Sequence, residues 1–420
     1  MTLPLSEKFL FCIFFLAHLH VETYAFFNPY HMVIPPNVLE DADLDTFQLI
    51  SKYGYPADNY TVETDDGYIL GVHRIARPGA IPVLMVHGLL DCSATWVMLG
   101  PTKSLGYLVY EQGYDVWMAN VRGNTYSKRH VRYTSDDPEF WDFSFHEMGV
   151  YDVPSIIDFV LMRTGFSQLY YIAHSQGTAS FWIMASEKPQ YMDKIILMQA
   201  LAPVAYLTHC RSPVVNLLAA QDAALTFILR STGYNEFFPS TTLINWLKRV
   251  GCHETTITNM FCESLFFIIF GFNYQQLNAT LLPIVTGHTP AGASMKQLNH
   301  YGQLRNSRRF QLFDYGILNI FHYGSIFPPI YKLENVKAKV ALYHANNDWL
   351  APPEDVELLY EQLPNVVDKY LVPDEDFTHL DLIWGIDAKR LVWDRMLAVM
   401  KFYEPRSFSD FDNEDYNNFL

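Results

Sequence analysis

The sequence predicts an α/β fold with a doubly wound, mostly parallel sheet that is interrupted by an inserted, mainly helical module. Short apolar strands alternate with helical segments before residue 206, and the alternation resumes after residue 325. Between those limits the alternation disappears and helical stretches predominate. The strand Pro82–Val86 is apolar throughout, as expected for a strand that is buried on both faces of a sheet.

The segment 26–44, which contains Pro35-Pro36, is expected to be irregular, and the first block of predicted elements begins at Asp45. The predicted elements are a helix over 45–53, a hairpin of 60–63 and 68–76, a strand over 82–86, a helix over 103–112, a strand over 115–120, a helix over 145–164, a strand over 168–173, a helix over 178–186 and a strand over 194–199.

The second block follows the inserted module. Within the module, helices are expected over 214–230 and 241–250, and an apolar run covers 264–272. The chain then continues with a strand over 340–344, a helix over 353–363, a strand over 370–372, a helix over 387–403 and a loose acidic tail over 407–420.

The N-terminus has the three parts of a secretory signal peptide. Lys8 precedes an apolar run from Phe9 to Leu19, and Thr23-Tyr24-Ala25 offers a small-residue cleavage site. The run is too short to span a bilayer, so no transmembrane anchor is expected here; the alternative is an uncleaved, buried helix. The predicted organisation is a signal peptide over 1–25, core over 26–205, cap over 206–325, core over 326–406 and tail over 407–420.

The composition and net charge of the chain disfavour two kinds of binding partner. Half of the 420 residues are hydrophobic and the net charge is −16, which indicates a globular, acidic protein. Without a basic stripe it is a poor candidate for binding nucleic acid, and anionic membrane surfaces should repel it. The sequence does not indicate an oligomeric state.

Two sequons and four cysteines agree with an exported protein. Asn59-Tyr60-Thr61 and Asn278-Ala279-Thr280 are possible glycosylation sites. Cys92, Cys210, Cys252 and Cys262 remain after signal removal and allow three complete pairings; a bridge between Cys252 and Cys262 is favoured because it closes a short loop. Cys92 and Cys210 could equally be small buried side chains.

Ser175 lies where a predicted strand turns sharply into a predicted helix. The motif Ala173-His174-Ser175-Gln176-Gly177 has small residues at the two positions where strand and helix backbones must approach each other. This context predicts an exposed nucleophile, although Ala173 replaces the usual first glycine. The alternative is a helix N-terminus that Ser175 simply caps.

Two later loops supply the partners that a nucleophilic serine needs. Asp348 follows the strand over 340–344, and His379 follows the next strand, so the order is serine, acid, histidine. His379 is predicted to be the base and Asp348 the acid that orients it; the alternatives are a loop histidine and a helix N-terminal acid. Other candidate acids on the histidine's own loop, which are poorly placed for its far nitrogen, are Asp374, Glu375, Asp376 and Asp381.

Backbone amides are the expected donors to the developing oxyanion. One is Gln176, directly after the serine, and the other is Leu89 in His87-Gly88-Leu89-Leu90, after the strand over 82–86. His87 and His174 are expected to be structural. The sequence has no His-Glu-x-x-His motif and no paired Cys-x-x-Cys, so no metal site is predicted.

Six motifs together resemble the acid lipases of the gastric and lysosomal type. The resemblance runs from about Tyr53 to Ala388, with the motifs in matching order: His87-Gly88-Leu89-Leu90, Asn120-Val121-Arg122-Gly123-Asn124-Thr125, Phe140-Trp141-Asp142-Phe143-Ser144-Phe145, His174-Ser175-Gln176-Gly177-Thr178, Pro290-Ala291-Gly292 and His379-Leu380-Asp381. It implies an α/β-hydrolase core with a helical cap, and hydrolysis of neutral lipid esters without a cofactor.

Residue roles follow the same resemblance. It implies that Ser175 is the nucleophile, Asp348 the acid and His379 the base, with Leu89 and Gln176 as oxyanion donors. Cys252 and Cys262 resemble a cap disulfide of the family, although their spacing differs.

The leading functional hypothesis is therefore a secreted or lysosomal serine lipase that acts on lipid esters at an emulsion or droplet interface. One alternative is a catalytically inactive hydrolase fold that binds or stores lipid, and another is a peptidase or thioesterase on the same fold. The apolar run Phe266–Phe270 could line an acyl tunnel or form the core of the cap.

Overall fold

The computed structural model describes residues 35–220, 235–237, 271 and 273–405. The predicted signal peptide, the helix over 241–250, the run Phe266–Phe270 and the acidic tail lie outside the described residues, and so do Cys252 and Cys262.

The described strands form one large sheet and one small ribbon. They are β1 Ala57–Glu63, β2 Tyr68–Ile75, β3 Pro82–Val86, β4 Asp115–Ala119, β5 Arg129–His130, β6 Leu169–His174, β7 Ile195–Leu201, β8 Glu236–Phe237, β9 Ala293–Ser294, β10 Val340–His344 and β11 Val366–Leu371. The large sheet has the order β1-β2-β4-β3-β6-β7-β10-β11 with β5 paired to β2, and β8 pairs with β9.

Pairing within the large sheet is parallel from β4 to β11. At one edge of the described sheet, β2 pairs antiparallel with β1, β5 and β4. The predicted mostly parallel sheet is therefore confirmed. The turn 64–67 joins β1 to β2, and such a hairpin can join only antiparallel strands, whereas a parallel pair needs a crossover.

The described α-helices are α1 Pro36–Asp43, α2 Thr46–Lys52, α3 Leu105–Glu111, α4 Phe145–Glu147, α5 Val153–Thr164, α6 Gln176–Glu187, α7 Pro213–Ala219, α8 Leu282–His288, α9 Met295–Ser307, α10 Asn319–Tyr323, α11 Pro353–Tyr360, α12 Asp381–Trp384 and α13 Asp394–Phe402. Among the helices of these residues, none combines the length and apolar character needed to cross a membrane.

Helices cover both faces of the sheet. Alternate residues of β3 point into two separate apolar cores: Leu84 and Val86 into one, Val83 and Met85 into the other. The first core contains side chains of α5 and α6, and the second contains side chains of α3 and α13. Because its central strand is buried on both faces, the sheet is doubly wound, as its continuous apolar sequence predicted.

One prediction about a single segment was wrong. The segment 26–44 was expected to be irregular, but its described part contains α1, which has proline at its first turn. A helix of eight residues is marginal alone. It is supported by contact with α8, where a side chain on Gly287 would come within 2.5 Å of the Ala42 carbonyl oxygen.

The long helix predicted over 145–164 is present with the predicted ends, and it contains one irregular turn. It is divided by a π-helical turn, Met148–Asp152, between α4 and α5. Gly149 lies in that turn, directly against Ile183 of α6. The wider turn thus coincides with the closest approach of these helices, and such turns interrupt an α-helix without ending it.

Candidate active site

Ser175 occupies a sharp turn between β6 and α6. Its backbone has φ 51° and ψ −117°, outside the ordinary regions for a residue with a side chain. The Ser175 amide donates to the Leu201 carbonyl at 3.0 Å, and its carbonyl accepts from the Thr178 amide at 2.9 Å. These bonds hold a strained conformation in place, as is common where a reactive side chain must be presented in one orientation.

Close backbone approach explains the small residues around Ser175. A Cβ on Gly177 would lie only 2.4 Å from the Val86 carbonyl oxygen, so α6 can pass β3 here only with glycine. Ala173, which replaces the other usual glycine, is fully buried and in register with Val86 and Ala200. The turn therefore requires glycine at position 177, where the two backbones are closest, whereas the methyl group of Ala173 is accommodated in the core.

His379 and Asp348 form a buried pair. Nδ1 of His379 lies 2.8 Å from Oδ2 of Asp348, and both side chains are excluded from solvent. The other carboxylate oxygen, Oδ1, accepts from the amides of Leu350 and Ala351, each at 2.8 Å. With both oxygens engaged, the carboxylate is fixed and favours the tautomer in which His379 carries its proton on Nδ1.

The competing acids on the histidine loop point elsewhere. Asp381 Oδ2 accepts from the Thr378 amide at 2.8 Å and from Asn273 at 3.0 Å, and burial raises the pKa of Asp381 to about 6. The Asp374 carboxylate accepts a hydrogen bond from the Asp376 amide within the same loop. Glu375 and Asp376 are exposed.

The loop over 87–90, here called the oxyanion loop, lies against the serine. A Cβ on Gly88 would approach Ser175 Cβ to 3.2 Å, so glycine permits this contact. Leu89 follows on the same loop and lines the same pocket as Ser175 and His379. Gln176 is the first residue of α6, where an amide has no partner within its own helix. Both predicted oxyanion donors are thus brought to the serine.

His87 and His174 have structural partners. Nε2 of His87 accepts from the Val121 amide at 3.3 Å, and its Nδ1 donates to the Gly88 carbonyl at 2.8 Å. Burial lowers the pKa of His87 to about 4 and lowers that of His174 far below its ordinary value. His174 Nε2 donates to the His379 carbonyl at 3.0 Å, and so helps to hold the loop of the candidate base.

A pocket opens over these groups. Ser175 and His379 form part of its floor together with the oxyanion loop. Its remaining lining is largely apolar and includes Val215 and Leu218 of α7 and Leu298 of α9. No cluster of three or more histidine, cysteine or acidic side chains suited to a metal ion occurs in the described part of the chain.

Comparison with known proteins identifies the family. A model for the α/β-hydrolase fold matches residues 81–222, and one for a partial α/β-hydrolase lipase region matches residues 46–100. The chain is 41% identical to Lipase 1 of Drosophila melanogaster over 87% of its own length and 81% of that protein's. The chain belongs to the acid lipase family. It is an enzyme of the lipase class, an ester hydrolase.

Two mammalian relatives are similar over almost the same range. Lysosomal acid lipase/cholesteryl ester hydrolase of Homo sapiens is 36% identical, with 87% of this chain and 92% of the relative covered. Gastric triacylglycerol lipase of Bos taurus is 39% identical, with coverages of 86% and 92%. The predicted resemblance to gastric and lysosomal acid lipases is confirmed, and so is the α/β-hydrolase fold.

In this acid lipase, several motifs of the family meet beside the oxyanion loop. The Ala291 amide of Pro290-Ala291-Gly292 donates to the Leu90 carbonyl at 2.6 Å, and the Thr125 hydroxyl donates to the Ala291 carbonyl at 3.1 Å. Asn124 donates to Nε2 of His87 at 3.0 Å. Segments far apart in the sequence therefore buttress one loop.

The side chain of Gln176 has partners that the sequence did not reveal. Its Oε1 accepts from Nε2 of Gln297 and from the hydroxyl of Tyr301, each at 3.1 Å. Both partners belong to α9, and all three side chains are buried. Gln176, which the sequence predicts to be an oxyanion donor, is thus fixed by a helix more than a hundred positions later, and no local motif could indicate that contact.

Cys92 and Cys210 are both buried in this acid lipase, as one interpretation of the sequence expected. The Cys210 thiol donates to the Trp349 carbonyl at 3.2 Å, on the loop that carries Asp348. Burial raises the pKa of Cys210 to about 12, so the thiol stays protonated in ordinary solution.

Asp91 is a second carboxyl beside the pocket, and the sequence motifs did not single it out. It is buried, and its Oδ1 accepts from the Cys92 amide at 2.8 Å and from the Thr289 hydroxyl at 3.2 Å. Burial raises the pKa of Asp91 to about 7, and the hydrogen bonds oppose this only in part. The group is therefore neutral in acid and becomes a buried anion near neutral pH.

We expect Asp91→Asn to make the stability of the acid lipase fold less sensitive to rising pH. The pKa of Asp91 in the folded protein, about 7, exceeds the ordinary value of 3.8. Protonation of Asp91 therefore stabilises the fold, and this contribution is complete at pH values below 3.8. That contribution is lost as the pH rises through the higher value, and it amounts to at most about 4 kcal/mol. The free energy of unfolding, measured in urea at pH 5 and at pH 8, should fall less for the variant than for the wild type between the two pH values.

The matched control for Asp91→Asn is Asp136→Asn, which changes an exposed aspartate. The control should follow the pH dependence of the wild type. If Asp91→Asn also ran parallel to the wild type between the two pH values, the assigned role of Asp91 would be wrong.

Proposed function

We propose that this enzyme hydrolyses neutral lipid esters, triglyceride or sterol ester, through Ser175, His379 and Asp348 by way of an acyl-enzyme. The observation that carries the proposal is the buried pair of His379 Nδ1 and Asp348 Oδ2, at 2.8 Å, whose histidine lines the same pocket as the strained Ser175. In such a pair, the carboxylate orients the histidine and stabilises the imidazolium that forms when the histidine takes a proton. A base of this kind beside a serine in a sharp turn is suited to acyl transfer.

The proposed reaction begins with attack of Ser175 Oγ on the ester carbonyl. His379 takes the serine proton on Nε2, and the Asp348 carboxylate stabilises the imidazolium that forms. The Leu89 and Gln176 amides stabilise the negative charge on the carbonyl oxygen. His379 then protonates the departing alcohol, and a water molecule activated by the same histidine releases the fatty acid.

The substrate class is inferred from the pocket and from the names of the relatives. A largely apolar lining can accept an acyl chain without leaving buried polar groups unpaired. One relative is named as a cholesteryl ester hydrolase and another as a triacylglycerol lipase, so both ester classes are candidates.

We also propose that residues 206–325 form a cap over the site. Of their described part, α7 and α9 line the pocket and pack closely, since a Cβ on Gly302 would lie 3.0 Å from the Leu218 carbonyl oxygen. Arg305 of α9 also donates to the Thr208 carbonyl at 2.8 Å. Such a cover excludes water from a reacting ester.

Export through the secretory pathway, to the extracellular space or the lysosomal lumen, is part of the proposal. Asn59 is exposed on the edge strand β1, and Asn278 is half-buried before α8, so both sequons are at the surface. Peptide mapping of purified protein from a eukaryotic host would test it. A chain that retains residues 1–25 and carries no glycan at either asparagine would contradict it.

The decisive experiment is release of fatty acid from emulsified triolein and from emulsified cholesteryl oleate, from acid to neutral pH. We expect release from at least one of them, together with turnover of a soluble p-nitrophenyl ester. A folded enzyme that turns over only peptides or thioesters would contradict the proposal. Lipid binding without turnover of any ester would favour an inactive binding protein.

A further inference from the structure

A short loop of the protein exposes an unusual number of large apolar side chains. We call residues 315–330 the apolar loop; it contains α10 and the turn that follows. Ile317 is 88% exposed and Phe321 is 85% exposed. The exposed apolar residues of the loop are Ile317, Leu318, Ile320, Phe321, Ile326, Phe327 and Ile330. Single exposed apolar residues are ordinary, whereas a group of this size on a soluble protein marks a site of interaction.

The interior of the apolar loop is polar. Asn319 is buried at its centre, where its amide nitrogen donates to Asp314 Oδ1 at 2.7 Å and to the Ile326 carbonyl at 3.0 Å. Its amide oxygen accepts from the Tyr315 backbone at 2.8 Å. Hydrogen bonds of Asn319 and the stacking of Tyr315 on His322 thus hold the loop together, while its large aliphatic side chains stay exposed.

Both ends of the apolar loop are anchored. Gln311 and Ile330 form an antiparallel bridge, and the Leu312 amide donates to the Pro329 carbonyl at 2.9 Å. The Tyr323 hydroxyl donates to the Phe313 carbonyl at 2.8 Å. A compact loop with paired ends presents its outer side chains in a fixed arrangement, and such loops are frequently functional.

Helix α9 connects the base of the loop to the pocket. On one face of α9, the ring of His300 lies 5.5 Å from that of Phe313, and Gln303 donates to the Asp314 carbonyl at 2.8 Å. On the opposite face, Leu298 and Tyr301 line the pocket. The base of the loop is thus about one helix diameter, roughly 10 Å, from the site.

Charge identifies the kind of surface that would suit the loop. Residues 315–331 contain no lysine, arginine, aspartate or glutamate, while the whole chain has a net charge of −16. Apart from His322, the loop has no side chain that could be a cation toward an anionic headgroup, and the rest of the molecule would be repelled by one. An uncharged apolar phase is the surface for which it is complementary.

We propose that the apolar loop docks the enzyme onto the surface of an uncharged lipid aggregate, with Ile317 and Phe321 inserted. This inference rests on the proposed function, since it supplies a way for the enzyme to stay at a neutral lipid interface. Full transfer of two large apolar side chains from water into an apolar phase would raise the partition coefficient by roughly two to four orders of magnitude.

The test separates docking from catalysis by using the full chain with Ser175→Ala. Partition is measured by flotation with triolein droplets coated with phosphatidylcholine. We expect Ile317→Ser/Phe321→Ser to weaken partition at least tenfold. The matched control, Ile386→Ser/Phe402→Ser, removes two apolar side chains that are 58% and 79% exposed elsewhere, and it should partition as its parent does.

The enzyme with Ser175 intact supplies the second readout. Ile317→Ser/Phe321→Ser should keep the turnover of a soluble p-nitrophenyl ester, which also shows that it folds, and should release fatty acid from sparse droplets at least tenfold more slowly. An enzyme that hydrolyses no ester would refute the proposed function and leave the partition result to decide on docking.

Several outcomes would overturn the docking proposal. One is equal partition of the loop variant and its parent. A second is stronger partition when phosphatidylserine is added to the coat, because that would indicate recognition of an anionic headgroup. A third is a wild-type dimer that the loop substitutions dissociate without changing partition, because the loop would then be an interface between two copies of the chain.

Discussion

Ser175→Ala is expected to lower the kcat of ester hydrolysis by roughly 10⁶-fold while leaving the fold intact. Ser175 is the only hydroxyl presented by the strained turn between β6 and α6, at φ 51°. Alanine preserves the backbone contacts of that turn, in which the Ser175 amide donates to the Leu201 carbonyl. What remains should be the catalysis that binding and the oxyanion donors provide, roughly 10³–10⁴ over water.

Ser180→Ala is the matched control for this substitution. Ser180 is also buried on α6, but its hydroxyl donates only to the Gln176 carbonyl, at 3.2 Å. The control should retain activity within a few-fold. Initial rates on a soluble ester, with circular dichroism to verify folding, are sufficient. A folded Ser175→Ala protein with turnover near that of the wild type would eliminate Ser175 as the nucleophile.

The central sheet was predictable because its strands carry their own signal. β3 is apolar at every position and is buried at every position, so composition and burial coincide. The edge strand β11 was predicted too short, over 370–372, whereas it spans Val366–Leu371. It contains Asp368 and Lys369, which form ion pairs at the protein surface, so its sequence lacks the continuous apolar run of an inner strand.

The limits of prediction in the site have a similar cause. Ser175, Asp348 and His379 could be selected because each follows a strand and their order along the chain is informative. The contacts of Asp91 with Thr289 and of Gln176 with Tyr301 join segments separated by more than a hundred residues. A single sequence contains no local pattern for such pairs, since they depend on how α9 and its preceding segment settle on the sheet.

Asp348→Asn is expected to lower kcat by about 10⁴-fold through the tautomer of His379. In the wild type, Oδ1 accepts from the Leu350 and Ala351 amides, and Oδ2 lies 2.8 Å from His379 Nδ1. The asparagine oxygen should keep the two amide donors, which directs its NH₂ group toward Nδ1. Nδ1 must then accept a hydrogen bond, so the proton moves to Nε2, and His379 can no longer take the proton of Ser175.

Asp381→Asn provides the control that separates this effect from the general loss of a buried carboxylate. Asp381 is also buried, lies two positions after His379 and accepts from the Thr378 amide and Asn273 instead of the imidazole. Its substitution should cost stability more than rate. Asp348→Asn acts by changing the tautomer of His379. Its kcat should therefore stay low from acid to neutral pH, while its affinity for substrate changes little. A kcat for Asp348→Asn within tenfold of the wild type, or a larger loss in Asp381→Asn, would assign the acid to a different residue.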